Sequence, residues 1–569
     1  MTRPPATRLL ALLVVMIVAL VAVVVRLGQL QVRRSGELTA LGTEQRLRTR
    51  ELPAARGDIV DRNMTPLAMT LEARDIYANP SLIPDRGAVA ARLAPLLERT
   101  VRDLRGELEG AGTFVYLERQ VDVALADEVA ALRLPGIGVL PSVRRYYPAG
   151  ILAPQLLGFV GVDGAGLAGL ELHYESVLAG APGERTAELS ALGQDIAGGM
   201  DVVAPPRPGD DLVLAIDRQI QFAAQRSLRR AVLDNHAKGG TVIVMDPRTG
   251  DIYAMASYPW FDPNAFGDYP ATSWPNRAVT DTWEPGSVNK VITAAAALET
   301  GAVSLTERFR VPAARSVEGY TIHDSHPHPI ESMTLGDIIA QSSNIGTSMV
   351  ADRVGNDALV AAFEGFGYGR PTGVGFPGEA AGLMPPTSAW SDITRATVSF
   401  GAGVAVSPLQ MATVYATIAN GGTLVQPRLV RATIGPDGTR HDVAPSPSRR
   451  VVSAETADIV TRMLAYVVED GTGIGAQIAG YQVAGKTGTA KKLDRNGNYT
   501  QRYVASFIGF LPAARPEVVV VAIIDEPDTI YGGIAAAPLF QDVARFSIQR
   551  LGIEPAASVR LPPHVFSQT

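Results

Sequence analysis

One uninterrupted apolar segment, residues 9–25, limits what this chain can fold into more than any other feature. Its 17 residues are all Ala, Val, Leu, Ile or Met. As a helix rising about 1.5 Å per residue it would be roughly 25 Å long, enough to cross a thin or slightly compressed bilayer. A cleaved signal peptide would have a shorter apolar core and a small-residue cleavage site close behind it. The segment therefore predicts an uncleaved transmembrane anchor over residues 9–26.

The charges around this segment bear on its orientation. Arg3 and Arg8 precede it, while Arg26, Arg33 and Arg34 follow it, so the count of basic residues opposes export of the long C-terminal part. Long domains are translocated largely regardless of such counts. We therefore expect a cytoplasmic tail over residues 1–8 and an extracytoplasmic body.

Composition excludes several classes of function. The chain has no cysteine, which removes disulfides, thiolate metal sites and cysteine nucleophiles. Its charged fraction of 19% and net charge of -6 give no reason to expect a nucleic-acid partner. It has five lysines against 46 arginines. Because arginine cannot lose its proton in a protein and a desolvated lysine can, each lysine deserves a chemical explanation.

The 569 residues are enough for two or three domains. Residues 36–50 are polar and Arg-rich and predict a juxtamembrane helix. A Pro-rich stretch near residue 208 marks a linker, so we predict one α/β domain over residues 36–210 and a second over 211–553. Residues 554–569 are predicted to be a loosely held tail.

The second domain has a clear pattern of elements. A helix is predicted near residues 218–235, followed by a hairpin of strands at 241–246 and 252–256. Helical stretches occupy the middle, and two more apolar strands follow at 504–510 and 518–524. Strands at both ends with helices between them predict an antiparallel sheet packed against helices, within a multidomain α+β chain.

Two of the five lysines lie in short motifs with a serine or threonine. Ser287 and Lys290 form S-x-x-K at the predicted start of a helix over 288–300, where positions i and i+3 share a face. A serine needs a neighbouring base to become a good nucleophile, and Lys290 is a candidate. Lys486, Thr487 and Gly488 form K-T-G in a predicted strand, which could place a cation and hydroxyls before a carboxylate.

A third motif lies between these two. Ser342 and Asn344 form S-x-N between two predicted helices, where a hydroxyl can relay a proton and an amide can hold a carbonyl. Alone, each motif has an ordinary explanation as a helix cap or a solvated lysine. Their joint occurrence in this order is far more specific.

The three motifs in this order resemble those of penicillin-binding proteins and serine β-lactamases. Further stretches, including 56–63, 145–148, 166–171 and 399–403, resemble class B penicillin-binding proteins, and 276–280 is most similar to their division-type subgroup, FtsI. The resemblance implies a single transmembrane helix, an elongated α/β pedestal domain of the dimerisation type, and a C-terminal transpeptidase domain with a β-lactamase-like antiparallel sheet flanked by helices.

The resemblance also implies a chemistry, peptidoglycan D,D-transpeptidation by a serine-type D-Ala-D-Ala transpeptidase with carboxypeptidase activity as a side reaction. It assigns catalytic roles to Ser287, Lys290, Ser342 and Asn344. It assigns substrate binding to Lys486, Thr487, Gly488 and Thr489. It implies no cofactor and no metal.

The implied partners are peptidoglycan stem peptides ending in D-Ala-D-Ala, β-lactam antibiotics, a SEDS-family glycosyltransferase (FtsW-like) and other divisome membrane proteins. The implied place is the bacterial inner membrane, crossed once, during septal wall synthesis. Four alternatives stay open: an elongation-type transpeptidase, a carboxypeptidase or β-lactamase, a β-lactam sensor, and a scaffold with little catalysis.

One histidine cluster needs a separate interpretation. His323, His326 and His328 lie within six residues and could bind a metal. Two prolines keep the segment extended and no cysteine assists, so a loop at the rim of the cleft is the preferred interpretation.

Overall fold

The computed structural model describes residues 5–33, 36, 47–110, 112–188, 201–494, 496–560 and 565. The chain divides into two compact units that alternate along the sequence. The first comprises residues 1–55, 73–142 and 180–208, and the second comprises 56–72, 143–179 and 209–569. The domain bounds of 36–210 and 211–553 stay a prediction.

The N-terminal apolar segment is helical, as predicted. The helix runs over Pro5–Gly28, with a π-helical turn over Gln29–Arg33. Its mean hydropathy reaches 3.1 over an 18-residue window within Ala6–Val32, and its side chains are exposed. By length and composition this helix could cross a membrane.

The first unit has a small core of its own, built from helices and short strands. Asp85 and Thr100 cap two of its helices with their side-chain oxygens, which accept from Ala88 N and Asp103 N. The helices are Arg86–Leu93, Val101–Leu108 and Val123–Ala131, and the strands are Leu47–Leu52, Val115–Val121, Gly183–Glu188 and Asp201–Ala204. Two further strands, Pro66–Ala78 and Ile137–Tyr146, have residues in both units.

The predicted helix over residues 36–50 is wrong at its C-terminal end. Leu47–Leu52 is a strand that pairs antiparallel with Gly183–Glu188. Thr49 and Thr186 face each other across this pair with their hydroxyls 2.9 Å apart. A partner strand more than a hundred residues away outweighs the helix preference of Leu and Arg. Residues 37–46 lie outside the described part of the chain.

The second unit is built on a five-stranded antiparallel sheet, as predicted. Its strands are β1 Gly239–Met245, β2 Ile252–Tyr258, β3 Ala484–Leu493, β4 Tyr499–Leu511 and β5 Val518–Asp525. The spatial order is β2-β1-β5-β4-β3, which puts β3, the strand with K-T-G, at one edge.

Helices cover both faces of this sheet. Side chains alternate along a strand, so Val242 and Val244 pack against one layer while Ile243 and Met245 pack against the other. The first layer consists of helix α1, Arg218–Asp234, and the C-terminal helix Ala537–Leu551. This double coverage explains why β1 and residues 518–524 of β5 are buried along their whole length rather than at alternate residues.

The remaining elements of the second unit surround this framework. Helices α2 Lys290–Glu299, α3 Leu335–Ala340 and α4 Asn344–Val354 flank the S-x-x-K and S-x-N motifs. The other helices are Pro154–Leu157, Gly169–His173, Glu175–Leu178, Arg277–Thr280, Asn356–Gly365, Asp392–Ser399, Pro408–Ala419, Ala454–Asp470 and Gly532–Ala535. The other strands are Ile59–Val60, Asp211–Leu214, Phe309–Val311, Arg315–Val317, Tyr320–Ile322, Glu331–Met333, Thr423–Val425, Val430–Ile434, Arg440–Asp442 and Ser448–Arg450.

Stretches that resemble class B proteins meet at a buried carboxylate in the second unit. Glu171 is fully buried, and Arg56 and Arg145 bind it at 2.6 and 2.7 Å. Arg145 also donates to Gly57 O at 2.9 Å. A buried carboxylate is stable only when its charge is matched and hydrogen-bonded, and here two guanidinium groups do both.

The prediction of a loosely held tail is wrong for its described residues. Gln482 donates to Val559 O at 2.8 Å and accepts from Val559 N at 2.7 Å. Val565 is buried, and its carbonyl accepts from the hydroxyl of Thr334 at 2.5 Å. These contacts satisfy backbone groups of the tail, which is why it stays on the surface of the unit.

Candidate active site

Ser287 lies in a short turn rather than at the first position of a long helix. The turn is a 3-10 segment over Gly286–Asn289, and α2 begins directly after it at Lys290. Ser287 is half-buried, so its hydroxyl can meet a ligand. The predicted helix over 288–300 is therefore correct in type, but its first residues form the tighter turn.

Gly401 fixes the position of this turn. Gly286 N donates to Gly401 O at 3.0 Å. Gly401 has a φ of +87°, and a Cβ there would lie 2.3 Å from Gly286 O. The backbones approach so closely that only glycine fits.

Substitution of Gly401 by alanine is therefore expected to lower the free energy of unfolding by about 2 kcal/mol or more, since the left-handed conformation alone costs about 1–2 kcal/mol. Gly403→Ala is the matched control, because Gly403 has a similar φ of +77° but its nearest neighbour would be 3.7 Å away. Thermal and denaturant unfolding measure the free energy of unfolding of the two variants. If both variants lose the same amount of stability, the close contact between residue 401 and Gly286 has no effect.

Lys290 is fully buried at the start of α2. Its Nζ donates to Ser342 O at 2.5 Å and to Ser342 Oγ at 3.3 Å. Burial, and secondly the charge of Lys486, hold the pKa of Lys290 well below its usual range, while the charge of Asp324 opposes this shift. Desolvation disfavours the ammonium form, so Lys290 can be a neutral amine that accepts a proton.

The S-x-N segment forms the link between α3 and α4. Ser342 is buried and has a φ of +63°, a conformation that non-glycine residues adopt at a cost. Ser343 caps α4 by accepting from Gly346 N at 2.8 Å. Asn344 is half-buried, and its Nδ2 donates to His323 O at 3.0 Å.

Lys486 is fully buried in strand β3. Its Nζ donates to Thr472 Oγ1 at 3.3 Å and to Thr487 Oγ1 at 3.4 Å, and these two hydroxyls lie 2.8 Å apart. Burial lowers the pKa of Lys486 to about 7. Thr489 is half-buried, and its hydroxyl donates to Ile530 O at 3.2 Å.

Glycines bring strand β3 against the turn of Ser287. A Cβ on Gly488 would lie 3.0 Å from the Val288 side chain and 3.2 Å from Pro285 O. A Cβ on Gly286 would lie 2.9 Å from Thr489 O. The K-T-G strand and the S-x-x-K turn are thus in direct contact, and Lys290 connects the turn to S-x-N.

Asp324 is a residue whose importance the sequence did not indicate. Its Oδ1 accepts from the backbone N of Asn344 at 2.6 Å and of Ile345 at 2.9 Å, and its Oδ2 accepts from Ser343 Oγ at 2.6 Å. The ring of His328 lies 3.0 Å from Oδ2. A carboxylate at a helix N-terminus is favourable, and this one orients the whole S-x-N segment.

The histidine cluster thus supports Asp324 through His328. Within the described ranges, no group of three His, Asp or Glu side chains is arranged to hold a metal ion. Thr472, which binds Lys486, was also missed. The available signal was the Gly471-Thr472-Gly473 run, since glycines allow close approach of the backbone.

Comparisons with known proteins agree with this geometry. The penicillin-binding protein transpeptidase domain matches residues 240–545, more than half of the chain, and the penicillin-binding protein dimerisation domain matches residues 51–214. The probable peptidoglycan D,D-transpeptidase PbpC of Pseudomonas aeruginosa is 35% identical over 554 residues, which cover 96% of this chain and 96% of that protein.

Two other similarities extend over nearly the whole chain. The peptidoglycan D,D-transpeptidase FtsI of Escherichia coli is 35% identical over 552 residues, 95% of this chain and 91% of its own. The crystal structure of penicillin-binding protein 3 from Mycobacterium tuberculosis, complexed with aztreonam, aligns with a TM-score of 0.72 and 33% identity over 91% of this chain and 100% of that one. The resemblance inferred from the motifs is confirmed, and this chain belongs to the class B penicillin-binding proteins.

Proposed function

We propose that this protein is a peptidoglycan D,D-transpeptidase that cross-links stem peptides through an acyl-enzyme on Ser287. One observation supports this most directly: a fully buried lysine, Lys290, follows a half-exposed serine by one helical turn and has a lowered pKa. Burying a lysine without a carboxylate partner is costly, and activation of a nucleophile explains the cost.

Acylation begins with proton transfer from Ser287 to neutral Lys290. The Ser287 oxygen attacks the carbonyl carbon between the two terminal D-Ala residues, and the carbonyl oxygen becomes an oxyanion. The backbone N–H groups of Ser287 and Thr489 stabilise it, and the contact between their two segments supports this pairing. Ser342, hydrogen-bonded to Lys290, passes the proton to the leaving D-Ala nitrogen as the amide bond breaks.

The other motif residues bind the donor peptide. Protonated Lys486, with the hydroxyls of Thr487 and Thr489, holds the terminal carboxylate, and Gly488 lets the strand lie close to it. The amide of Asn344 positions the peptide. The amine of a neighbouring stem peptide then attacks the ester, forms the cross-link and releases Ser287 with its proton restored.

The reaction with benzylpenicillin tests this proposal. Intact-protein mass spectrometry is expected to show one penicilloyl group per molecule, and peptide mapping should place it on Ser287, with the Ser287→Ala protein as blank. An adduct on another residue, or none, would contradict the nucleophile assigned here. Rapid release of hydrolysed penicillin would favour the β-lactamase alternative. In a second assay with a donor peptide and a D-amino acid acceptor, incorporation of the acceptor indicates transpeptidation, while hydrolysis of the donor alone indicates carboxypeptidation.

The cellular role is a further part of the proposal. We place the protein in the bacterial inner membrane, anchored by its N-terminal helix with the body outside, beside a SEDS-family glycosyltransferase in the septum. The name FtsI of the Escherichia coli relative and the apolar helix support this. A fluorescent protein fused to the N-terminus should localise to midcell. Localisation along the lateral wall would favour the elongation-type alternative.

Asp324 gives a test of how S-x-N is positioned. Asp324→Asn removes the charge that orients the start of α4, so acylation by benzylpenicillin is expected to slow about tenfold, the equivalent of one charge-assisted hydrogen bond. Because the charge of Asp324 raises the pKa of Lys290, its removal should also move the acid limb of the pH profile to lower pH. A slower variant with an unmoved acid limb would show that Asp324 acts through structure alone.

A further inference from the structure

Helix α1 has an unusual outer face. Its inner side chains, among them Ile220, Ala224 and Leu228, pack into the core. On the opposite side, Phe222 is 58% exposed and Leu233 is 50% exposed. Large apolar side chains at both ends of one exposed stripe leave apolar surface in water without a packing partner in the described structure.

Between these two residues the stripe is basic. Arg226, Arg229 and Arg230 are exposed and lie at helical spacings from Phe222 and Leu233, on the same side of α1. Arg226 and Arg229 have no carboxylate within ion-pair distance in the part of the chain that the structure describes. Arg230 has a long, exposed ion pair with Asp542 at 3.4 Å.

This stripe is one wall of a groove of about 480 Å³. The opposite wall consists of Ala149, Ile151, Leu152 and Trp260. Ile151 is 44% exposed, so apolar surface faces the groove from both sides.

A buried side chain holds the two walls in place. Gln225 donates to Ile151 O at 2.8 Å and accepts from Ala153 N at 3.0 Å. Trp260 is packed edge-on against Tyr258, with ring centroids 4.8 Å apart. The groove is therefore formed before any ligand arrives, which reduces the entropic cost of binding.

We propose that this groove docks an acidic amphipathic segment of a partner protein. Its carboxylates would pair with Arg226 and Arg229, whose planar guanidinium groups match carboxylates bidentately, and its apolar side chains would cover Phe222, Ile151 and Trp260. Aromatic residues and arginine are the residues enriched at the energetic centres of protein interfaces.

Charge complementarity and size favour this occupant. Three arginines gather here in a chain whose net charge is -6, and Asp234 is the one acidic residue in the lining. Phe222 and Leu233 are about 16 Å apart along α1, the length of about three helical turns. A small anion would fill the basic centre and leave the apolar walls uncovered.

Binding of a designed peptide to the full-length protein in detergent tests this proposal. The probe is a fluorescein-labelled amphipathic helix of Leu and Glu, about three turns long, and a peptide with Lys in place of Glu is its counterpart. We expect anisotropy to show saturable binding of the Glu peptide that weakens with salt, and at least about tenfold weaker binding to the Arg226→Glu/Arg229→Glu protein. Phe222→Ser should also weaken binding.

Controls separate the groove from general charge and folding effects. Arg248→Glu/Arg515→Glu reverses two exposed arginines elsewhere and should bind the peptide like the wild type. Every variant should melt at the wild-type temperature and acylate with benzylpenicillin at the wild-type rate, since none of these residues lies in the active site.

Two results would overturn the proposal. The first is that the Lys peptide binds as tightly as the Glu peptide, and the second is that the Glu peptide binds the Arg226→Glu/Arg229→Glu protein as tightly as the wild type. Binding of phosphatidylglycerol vesicles that is lost in the same variant, with no peptide binding, would identify the face as a membrane contact. Loss of a self-associated species in sedimentation of that variant would identify it as a contact between two copies of this chain.

Discussion

Replacing Lys290 by methionine is expected to slow acylation of Ser287 by benzylpenicillin by about 10²–10⁴-fold, the usual contribution of a positioned general base. Methionine has a similar length and suits a buried site, so the variant should fold while lacking the amine that takes the Ser287 proton. Stopped-flow measurement of the second-order acylation rate, beside a thermal melt, separates the chemistry from folding. Acylation at the wild-type rate would show that another group is the base.

Arginine at the same position makes the comparison sharper. Lys290→Arg keeps a cation but cannot accept a proton under protein conditions, so it is not expected to restore acylation. Lys238→Arg is the control, because Lys238 is exposed and its contact is a surface ion pair with Glu526 at 3.5 Å. Recovery of activity in Lys290→Arg would mean that the charge of Lys290, rather than its basicity, matters.

Replacing Lys486 by methionine is expected to slow acylation by about 10–100-fold, because the carboxylate of benzylpenicillin loses a charge-assisted hydrogen bond. The pH profile should change as well. Lys486 has a pKa of about 7 in the free protein, so the wild-type rate should fall above that pH, and the variant should lack this alkaline limb.

In the pH profile of the acylation rate of the Lys486→Met variant, the acid limb should move to higher pH. The charge of Lys486 lowers the pKa of Lys290, so its removal raises that pKa. This shift is opposite to the one expected for Asp324→Asn, and the pair of variants therefore distinguishes an electrostatic effect on Lys290 from general damage. Shifts in the same direction would contradict the proposed coupling.

Stability gives an independent measurement on Lys486. Its pKa is about 7 when folded and near its ordinary value of 10.5 when unfolded. Between these values the unfolded chain binds more protons at Lys486, so this residue should add a rise of about 1.4 kcal/mol per pH unit to the free energy of unfolding. The methionine variant should lose this contribution and keep the one from Lys290, whose pKa is also lowered. An identical pH dependence in both proteins would show that Lys486 is not neutral in the folded state.

The framework of the second unit was predictable because its signals are local. Residues 518–524 of strand β5 are consecutive apolar residues, which predicts a strand buried on both faces. The turn at Pro247-Arg248-Thr249-Gly250 predicts the β1–β2 hairpin. Ser287 and Lys290 were identifiable because their spacing matches one helical turn and lysine is rare in this chain.

The errors and omissions have a different physical origin. Leu47–Leu52 and the tail around Val559 owe their conformations to partners more than 70 residues away, which no local pattern contains. The role of Asp324 could not be predicted, because it depends on the fold bringing this residue from the histidine cluster to the start of α4. Sequence spacing indicates side chains that share an element, and contacts between distant segments need the structure.

The contacts of the tail have a practical consequence for anyone who labels this protein. Gln482 lies four residues before Lys486, and Thr334 caps the helix that precedes Ser342. We therefore expect a bulky reporter attached behind residue 565 to lower benzylpenicillin labelling of the purified fusion, and labelling at the level of the unfused protein would contradict this coupling.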